Sequence, residues 1–436
     1  MPHGFLTPAQ AKVSDHVSPA HASPTGIAPH KPPPTVPSPV PFHENPLVSQ
    51  QTDSDVVHRA YEDNPRTFRL RLEHIPDAIG GSHVVTAGLY TTAEQPPLSQ
   101  RSWKPYDHTE AGCYEIRETA YAGKGMFSLR GHATGSLIAF ERPLIIYPSA
   151  HVGIAPEGEA APLDCSMEEG VIARMPNEMR RRLLALHNSQ PAARSPEKSI
   201  CQTNAFNANR VLGCIGSYGV VFETLSLVNH SCVPNAVYHW APHALAGEIR
   251  AQRPIAPGEE VTLMYTDVFA PYDDRRAVLR RHYAFACTCP ACRLPPAARA
   301  KDDDSRHVGK QLAGMVLPDV TMDEAVFATK KAQRYARLLR AASLWQPVVW
   351  EKLARALAMS ACALGDAPRA ARWARTAAAA TRAAIGVDAG WDAVAAAPEQ
   401  TEWWLTGQRR EQDGASVEEV VIWNGPQFCP NSVVGQ

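Results

Sequence analysis

Three cysteines fall within the six-residue run CTCPAC, at Cys287, Cys289 and Cys292. Three thiolates so spaced can converge on one Zn(II), but a tetrahedral structural site needs a fourth ligand. The best candidate is Cys232, inside the stretch ETLSLVNHSCVPN at 223–235. Cys201 and Cys214 flank an extended apolar segment and read more simply as buried small hydrophobes. A redox reading of Cys289-x-x-Cys292 stays open, although it lacks the strand-to-helix setting of a thioredoxin-type motif. Four cysteine ligands leave no open position for water, so such a metal would clamp 287–292 onto the loop at 232 and take no part in chemistry.

The same stretch places Asn229, His230, Ser231 and Cys232 in succession at the end of an alternating apolar run. Amide, imidazole, hydroxyl and thiol each need a partner when buried, and a plain core strand gains nothing from them. Two further patterns can present groups to a ligand. In Tyr121-Ala-Gly-Lys-Gly-Met126 the glycines at 123 and 125 let backbone approach a ligand closely, or make a simple hairpin turn. In GEEVTLMY (258–265) a strand ends on Tyr265, whose phenol can face a pocket or satisfy itself in the core.

The elements that must hold these residues follow from the surrounding pattern. The chain has 436 residues, enough for two or three domains. Its 43 basic and 44 acidic residues give a net charge of -1, so no global field recruits nucleic acid or an anionic membrane. There is no long apolar run and no secretory leader at the N-terminus, so the expectation is an intracellular protein of cytoplasm or nucleus. Ten cysteines there read as thiols or metal ligands.

Residues 1–48 hold 12 of the 38 prolines without helical or strand periodicity and are expected to be a disordered tail. Segment 49–112 gives little beyond short apolar patches such as HVVTAGLY (83–90). Order begins at Tyr114, with extended segments on either side of Gly-Lys-Gly and a further strand over SLIAFERPLIIY (136–147). A helical insertion is expected at about 148–200, where Met175, Met179, Leu183 and Leu186 share a face. Alternation predicts strands over 216–228 and 235–240, then a strand, a Pro-Gly turn and a strand over 247–265. DDRRAVLRRHY (273–283) is a short basic helix. From about 308 the chain is Ala-rich and helical. One stripe joins Tyr335, Leu338, Leu339 and Ala342, and another joins Trp350, Leu353, Ala354, Leu357, Ala361 and Leu364. A third helix starts after Gly365 and Asp366. Stacked hairpins of tetratricopeptide type and a plain bundle fit this pattern equally.

In this order, from about Tyr114 to Leu294, the pieces resemble the SET-domain protein-lysine methyltransferases. They are most similar to the SET-and-MYND family, which joins a SET core to a three-cysteine tail and a helical C-terminal domain. The resemblance departs in one respect: residues 127–200 contain only Cys165, so a Cys- and His-rich MYND zinc module is not expected. The fold it implies is α+β: a SET-type β-rich core at 113–286 with its helical insertion, a zinc-bound post-SET segment at 287–300 and an all-α domain at 308–436.

The resemblance implies S-adenosylmethionine as methyl donor and a protein lysine, histone or non-histone, as acceptor, in a monomer that contacts neither membrane nor nucleic acid. Gly123, Lys124 and Gly125 fall on the segment that wraps the donor, Asn204 on a polar donor-contacting position, and Ser226, Asn229 and His230 on the central donor site. Tyr283 and Phe285 fall on the aromatics flanking cofactor and lysine channel, and Tyr265 falls on the catalytic tyrosine. His230 is read as holding the crossing of NHSC with the 260–265 strand, and not as a base. In-line methyl transfer needs a neutral, aligned amine, so positioning and desolvation carry most of the expected acceleration. The competing reading is a catalytically inactive SET scaffold that binds proteins through its helical C-terminal region.

Overall fold

The computed structural model describes residues 68–76, 82–90, 113–119, 122–148, 167–191, 195–211, 214–314 and 322–406. The Pro-rich tail at 1–48, Tyr121, Cys165 and the end of the chain from 407 lie outside the described residues. The fold is mixed, with three small sheets and nine helices of α type among the described residues.

The first sheet has five strands: β1 (Phe68–Pro76), β2 (Ser82–Tyr90), β6 (Ile145–Pro148), β8 (Cys214–Val221) and β7 (Phe206–Val211), in that spatial order. β1 and β2 come from the stretch the sequence leaves without an assignment. They form an antiparallel pair whose β2 runs parallel to β6, with Thr86 opposite Ile145. Val85 and Ala87 are fully buried there, which anchors the pair in the main core. The second sheet orders β5 (Leu137–Glu141), β10 (Ala246–Ala251) and β9 (Ala236–Ala241). The third orders β11 (Glu260–Val261), β4 (Gly123–Ser128) and β3 (Tyr114–Thr119).

Two expected strands are corrected. The run 136–147 is not continuous: β5 and β6 lie in different sheets and the chain breaks at Arg142 and Pro143. Proline has no N–H for a ladder, which suits it to such a change of sheet. The alternation over 216–228 yields a strand only to Val221, followed by a 3-10 turn at Leu225–Leu227. The N–H groups of Glu223, Thr224 and Leu225 bond the Glu141 carboxylate, so a side chain replaces the strand ladder there.

The insertion between β6 and β7 contains α1 (Met167–Ile172), α2 (Asn177–Leu184) and α3 (Pro196–Asn204). Met175, Met179, Leu183 and Leu186 are buried together against Leu144, Ile145 and Tyr147, so this face closes over β6. After the sheets come α4 (Tyr272–Tyr283), α5 (Pro296–Gly314), α6 (Met322–Ala341), α7 (Pro347–Ala363), α8 (Ala367–Ile385) and α9 (Trp391–Ala396). Helix therefore resumes at Pro296, ahead of the expected 308. The apolar stripe of α7 buries Trp350, Leu353, Ala354 and Leu357. Asp366 caps α8 by accepting the Arg369 N–H at 3.0 Å, and Gly386 ends it at φ +80°.

Candidate active site and cysteine cluster

The site is built where the NHSC stretch runs beside the end of the 260–265 segment. Ser231 N–H bonds Leu263 O at 2.9 Å and Leu263 N–H bonds Asn229 O at 2.9 Å, a short parallel pairing at His230 and Leu263. The ladder stops there, and the next residue to be held is Tyr265, whose N–H donates to His230 Nδ1 at 3.0 Å. That acceptor role places the imidazole proton on Nε2, which lies 3.3 Å from Cys232 Sγ. One imidazole thus bridges the backbone of Tyr265 and the cysteine cluster.

Tyr265 is half-buried and donates its hydroxyl to Val228 O at 2.6 Å. Burial pushes the phenol well up, with the Tyr283 and Glu260 charges adding to it, so it stays neutral and is not a base. Its ring packs 5.4 Å from His230 and 4.9 Å from Tyr283, and Phe285 lies 6.1 Å from His230. Phe285 reaches this cluster because α4 ends on Ala284 in the left-handed region, φ 58°. A residue with a Cβ is held there at a cost of about 1 kcal/mol or more, which only tertiary packing can offset.

On the other side of the crossing, Asn229 Nδ2 donates to Lys124 O at 3.1 Å and to Glu260 Oε1 at 2.9 Å. This holds β4, the strand that begins with Gly-Lys-Gly. Gly125 is needed there, since a Cβ would sit 2.8 Å from both Asn229 Nδ2 and Glu260 Oε1. Gly123, at φ +65°, has open space around it, and both Gly123 and Lys124 are exposed. The start of β4 at 123–124 is therefore exposed, with its backbone paired to β3 and Lys124 O held by Asn229.

Asn204 and Ser226 sit further back. Asn204 is buried at the end of α3, and its amide donates to His187 O and Ile200 O, both at 2.7 Å. Ser226 Oγ donates to Asn204 O at 3.1 Å and accepts the Phe222 N–H at 3.2 Å. The two are joined to each other, and the Asn204 amide hydrogens are engaged within the protein. Ser231 Oγ accepts the Val233 N–H at 3.1 Å, a local turn contact.

Cys232, Cys287, Cys289 and Cys292 converge: their four sulfurs lie within 4.8 Å of one another, and Cys232 and Cys292 are 3.6 Å apart. A tetrahedral zinc with bonds of about 2.3 Å sets sulfurs about 3.8 Å apart, so the cluster fits that ion in ligand type, number and spacing. Hydrogen bonds within the cluster pull the Cys289 and Cys292 thiols down and push the Cys287 thiol up, so the four sulfurs share their protons as one group. Cys201 lies instead in α3 with its thiol pushed up by burial, and the Cys214 side chain is outside the described residues.

Other residues of the site carried no recognised signal in the sequence. Arg306 on α5 is fully buried and donates to Cys232 O at 3.1 Å and Asp302 Oδ2 at 2.7 Å. Arg275 on α4, also fully buried, has Nη2 3.8 Å from the same Asp302 oxygen. Burial works to lower its pKa, but Cys232 and Asp302 outweigh that and raise it. The i, i+4 spacing of Asp302 and Arg306 was the available clue. Asn235 donates to Glu260 O at 2.8 Å and accepts the Thr262 N–H at 2.8 Å, tying the last residue of NHSCVPN to the same crossing.

The SET domain family matches residues 123–266, which contain Gly123 to Tyr265 of this site. Histone-lysine N-methyltransferase set5 of Schizosaccharomyces pombe is 26% identical over 204 residues, covering 47% of this chain and 57% of that protein. Human N-lysine methyltransferase SMYD2 is 38% identical over 81 residues, 19% of this chain and 18% of that protein. The chicken SMYD2 is 37% identical over 90 residues, 21% and 19% respectively. The chain thus spans just over half the length of the yeast relative and under a fifth of the SMYD2 proteins. With the crossing, its glycine strand and its terminal tyrosine inside the matched segment, the chain carries a SET domain homologous to those of the Set5 and SMYD2 lysine methyltransferases.

Proposed function

We propose that the protein transfers a methyl group from S-adenosylmethionine to a lysine side chain of a protein. The observation that supports this reading is the placement of Tyr265. Its neutral hydroxyl is spent as a donor on Val228 O, which leaves oxygen lone pairs to accept from an amine. Its position is fixed through His230 Nδ1, and its ring shares an aromatic cluster with Tyr283 and Phe285.

The donor supplies an electrophilic methyl when bound. The exposed start of β4 at Gly123 and Lys124, with Asn229 and His230 alongside, is where this chain would hold it. The aromatic side chains disfavour the ammonium form of an incoming lysine by desolvation, as a buried lysine has its pKa lowered. Orientation of that neutral amine by Tyr265 is then the main contribution of the protein. The four cysteines would hold one structural zinc, with no open position for substrate. The helices beyond residue 296 are the surface on which a protein substrate or partner would dock. Among the described residues no helix is long and apolar enough to cross a membrane.

Radiolabelled methyl transfer onto a protein array tests the reading. Tyr265→Phe should lose on the order of 100-fold in activity, the scale of removing one oriented polar group, while calorimetry shows the donor still bound. Full activity of Tyr265→Phe on every acceptor overturns the assignment. A folded protein that binds no donor would instead be a scaffold.

A further inference from the structure

Glu141 is the last residue of β5, a single acidic residue in the apolar run LIAFERPLIIY. A charge in such a run is costly unless it is hydrogen-bonded. Here it meets three backbone donors: Glu223 N–H at 3.0 Å on Oε1, Thr224 N–H at 3.0 Å on both oxygens, and Leu225 N–H at 2.8 Å on Oε2. These residues lead from β8 into the first residue of the 3-10 turn. The stretch leads directly to Ser226, Val228 and Asn229, which bond Asn204, Tyr265 and Lys124 respectively.

We propose that Glu141 is a positioning residue for the donor site, gripping three consecutive backbone N–H groups so that the following residues reach the glycine strand and Tyr265 in register. The inference rests on the methyltransferase reading for the identity of the ligand. Among the described residues no other carboxylate bonds these N–H groups: Glu223 is turned to the Arg182 guanidinium, with Nε at 2.9 Å.

The grip depends on protonation. Three N–H donors match a carboxylate, whose oxygens only accept, whereas a carboxylic acid carries its own donor and opposes one of them. Burial lifts the Glu141 carboxyl to about 7 against the lowering effect of the three N–H bonds, and the Glu223 charge adds to the rise. Among the described residues it also pushes up the Tyr114 phenol on β3 and favours the Arg182 guanidinium on α2. The carboxylate form therefore prevails above about pH 7 and gives way below it.

The test is calorimetric binding of S-adenosylmethionine between about pH 6 and pH 8, with thermal melts as a check of folding. Wild type should bind more tightly as pH rises through that range. Glu141→Gln should bind about tenfold more weakly at the upper end, one unsatisfied donor's worth, and lack the wild-type step. A folded Glu141→Gln that binds as wild type at each pH, or that is weaker but keeps the step, overturns the proposal. If Glu141→Gln does not fold, Glu141→Asp carries the test: it keeps the charge but withdraws it by one methylene. Weaker binding with a retained pH step is then expected, and unchanged affinity refutes the grip. Wild type that binds no donor overturns the methyltransferase reading itself, and this inference with it, whereas the variant outcomes bear on Glu141 alone.

Discussion

Asn229 has two acceptors on one amide nitrogen, and both belong to other segments. Asn229→Ala frees Lys124 O and Glu260 Oε1 together. It should cost about 1–3 kcal/mol of stability and weaken donor binding more than it slows transfer at saturating donor, as denaturant unfolding and calorimetry would show. Glu141 makes a second prediction at this scale, on stability. Its folded pKa of about 7 lies above the ordinary 4.5, so its contribution is full below the ordinary value and is lost as pH rises through about 7. The stability of wild type relative to Glu141→Gln should therefore fall between about pH 4.5 and pH 7, measured by unfolding at each pH. The carboxylate that grips the turn best is the form the fold tolerates least. Positioning at a functional site set against stability is a recurring pattern in proteins.

Among the elements, the cysteine cluster is a junction. It joins the NHSC turn, the segment after α4, and α5 through Arg306 to Cys232 O. Metal analysis should find about one zinc per chain. Cys289→Ser should lower the melting temperature and weaken donor binding together, because His230 contacts Cys232 and Tyr265 at once. Unchanged melting and donor affinity would separate the cluster from the site. The Ala284 turn belongs to the same scale. The helix end at Tyr283 is legible in DDRRAVLRRHY, whose last turn holds Arg280, Arg281 and His282, but no residue there favours the left-handed region that Ala284 adopts, beside the packing of Phe285 and the cysteines beyond it.

Across the molecule, the helical region is packed onto the sheets. Gly135, at φ +86°, has Ala379 O of α8 2.8 Å from where a Cβ would stand, and Gly386 at the end of α8 lies against Arg250 and Glu248 of β10. Gly135→Ala meets both the backbone strain and the clash. It should destabilise by about 1–3 kcal/mol in denaturant unfolding, while the proposed donor site, on other strands, keeps its affinity once the protein is folded. A variant as stable as wild type would mean that α8 can move away from the sheet without cost.

What the sequence by itself determined were the features written in local order. The cysteine spacing, the polar succession 229–232, the Gly-x-Gly, the buried face of Met175, Met179, Leu183 and Leu186, and the Gly365–Asp366 boundary each depend on neighbours a few residues away. Only the tertiary structure decided the rest. β1 and β2 join the core through a partner at 145–146, far along the chain, and their own pattern names no partner. The apolar alternation over 216–228 is stopped by Glu141, which lies 82 residues before the first N–H it accepts. Asn235, Arg275 and Arg306 gain their meaning only from groups brought together by folding. Periodicity reports which face of an element is buried, whereas a hydrogen bond across the chain is fixed by the closure of the whole fold.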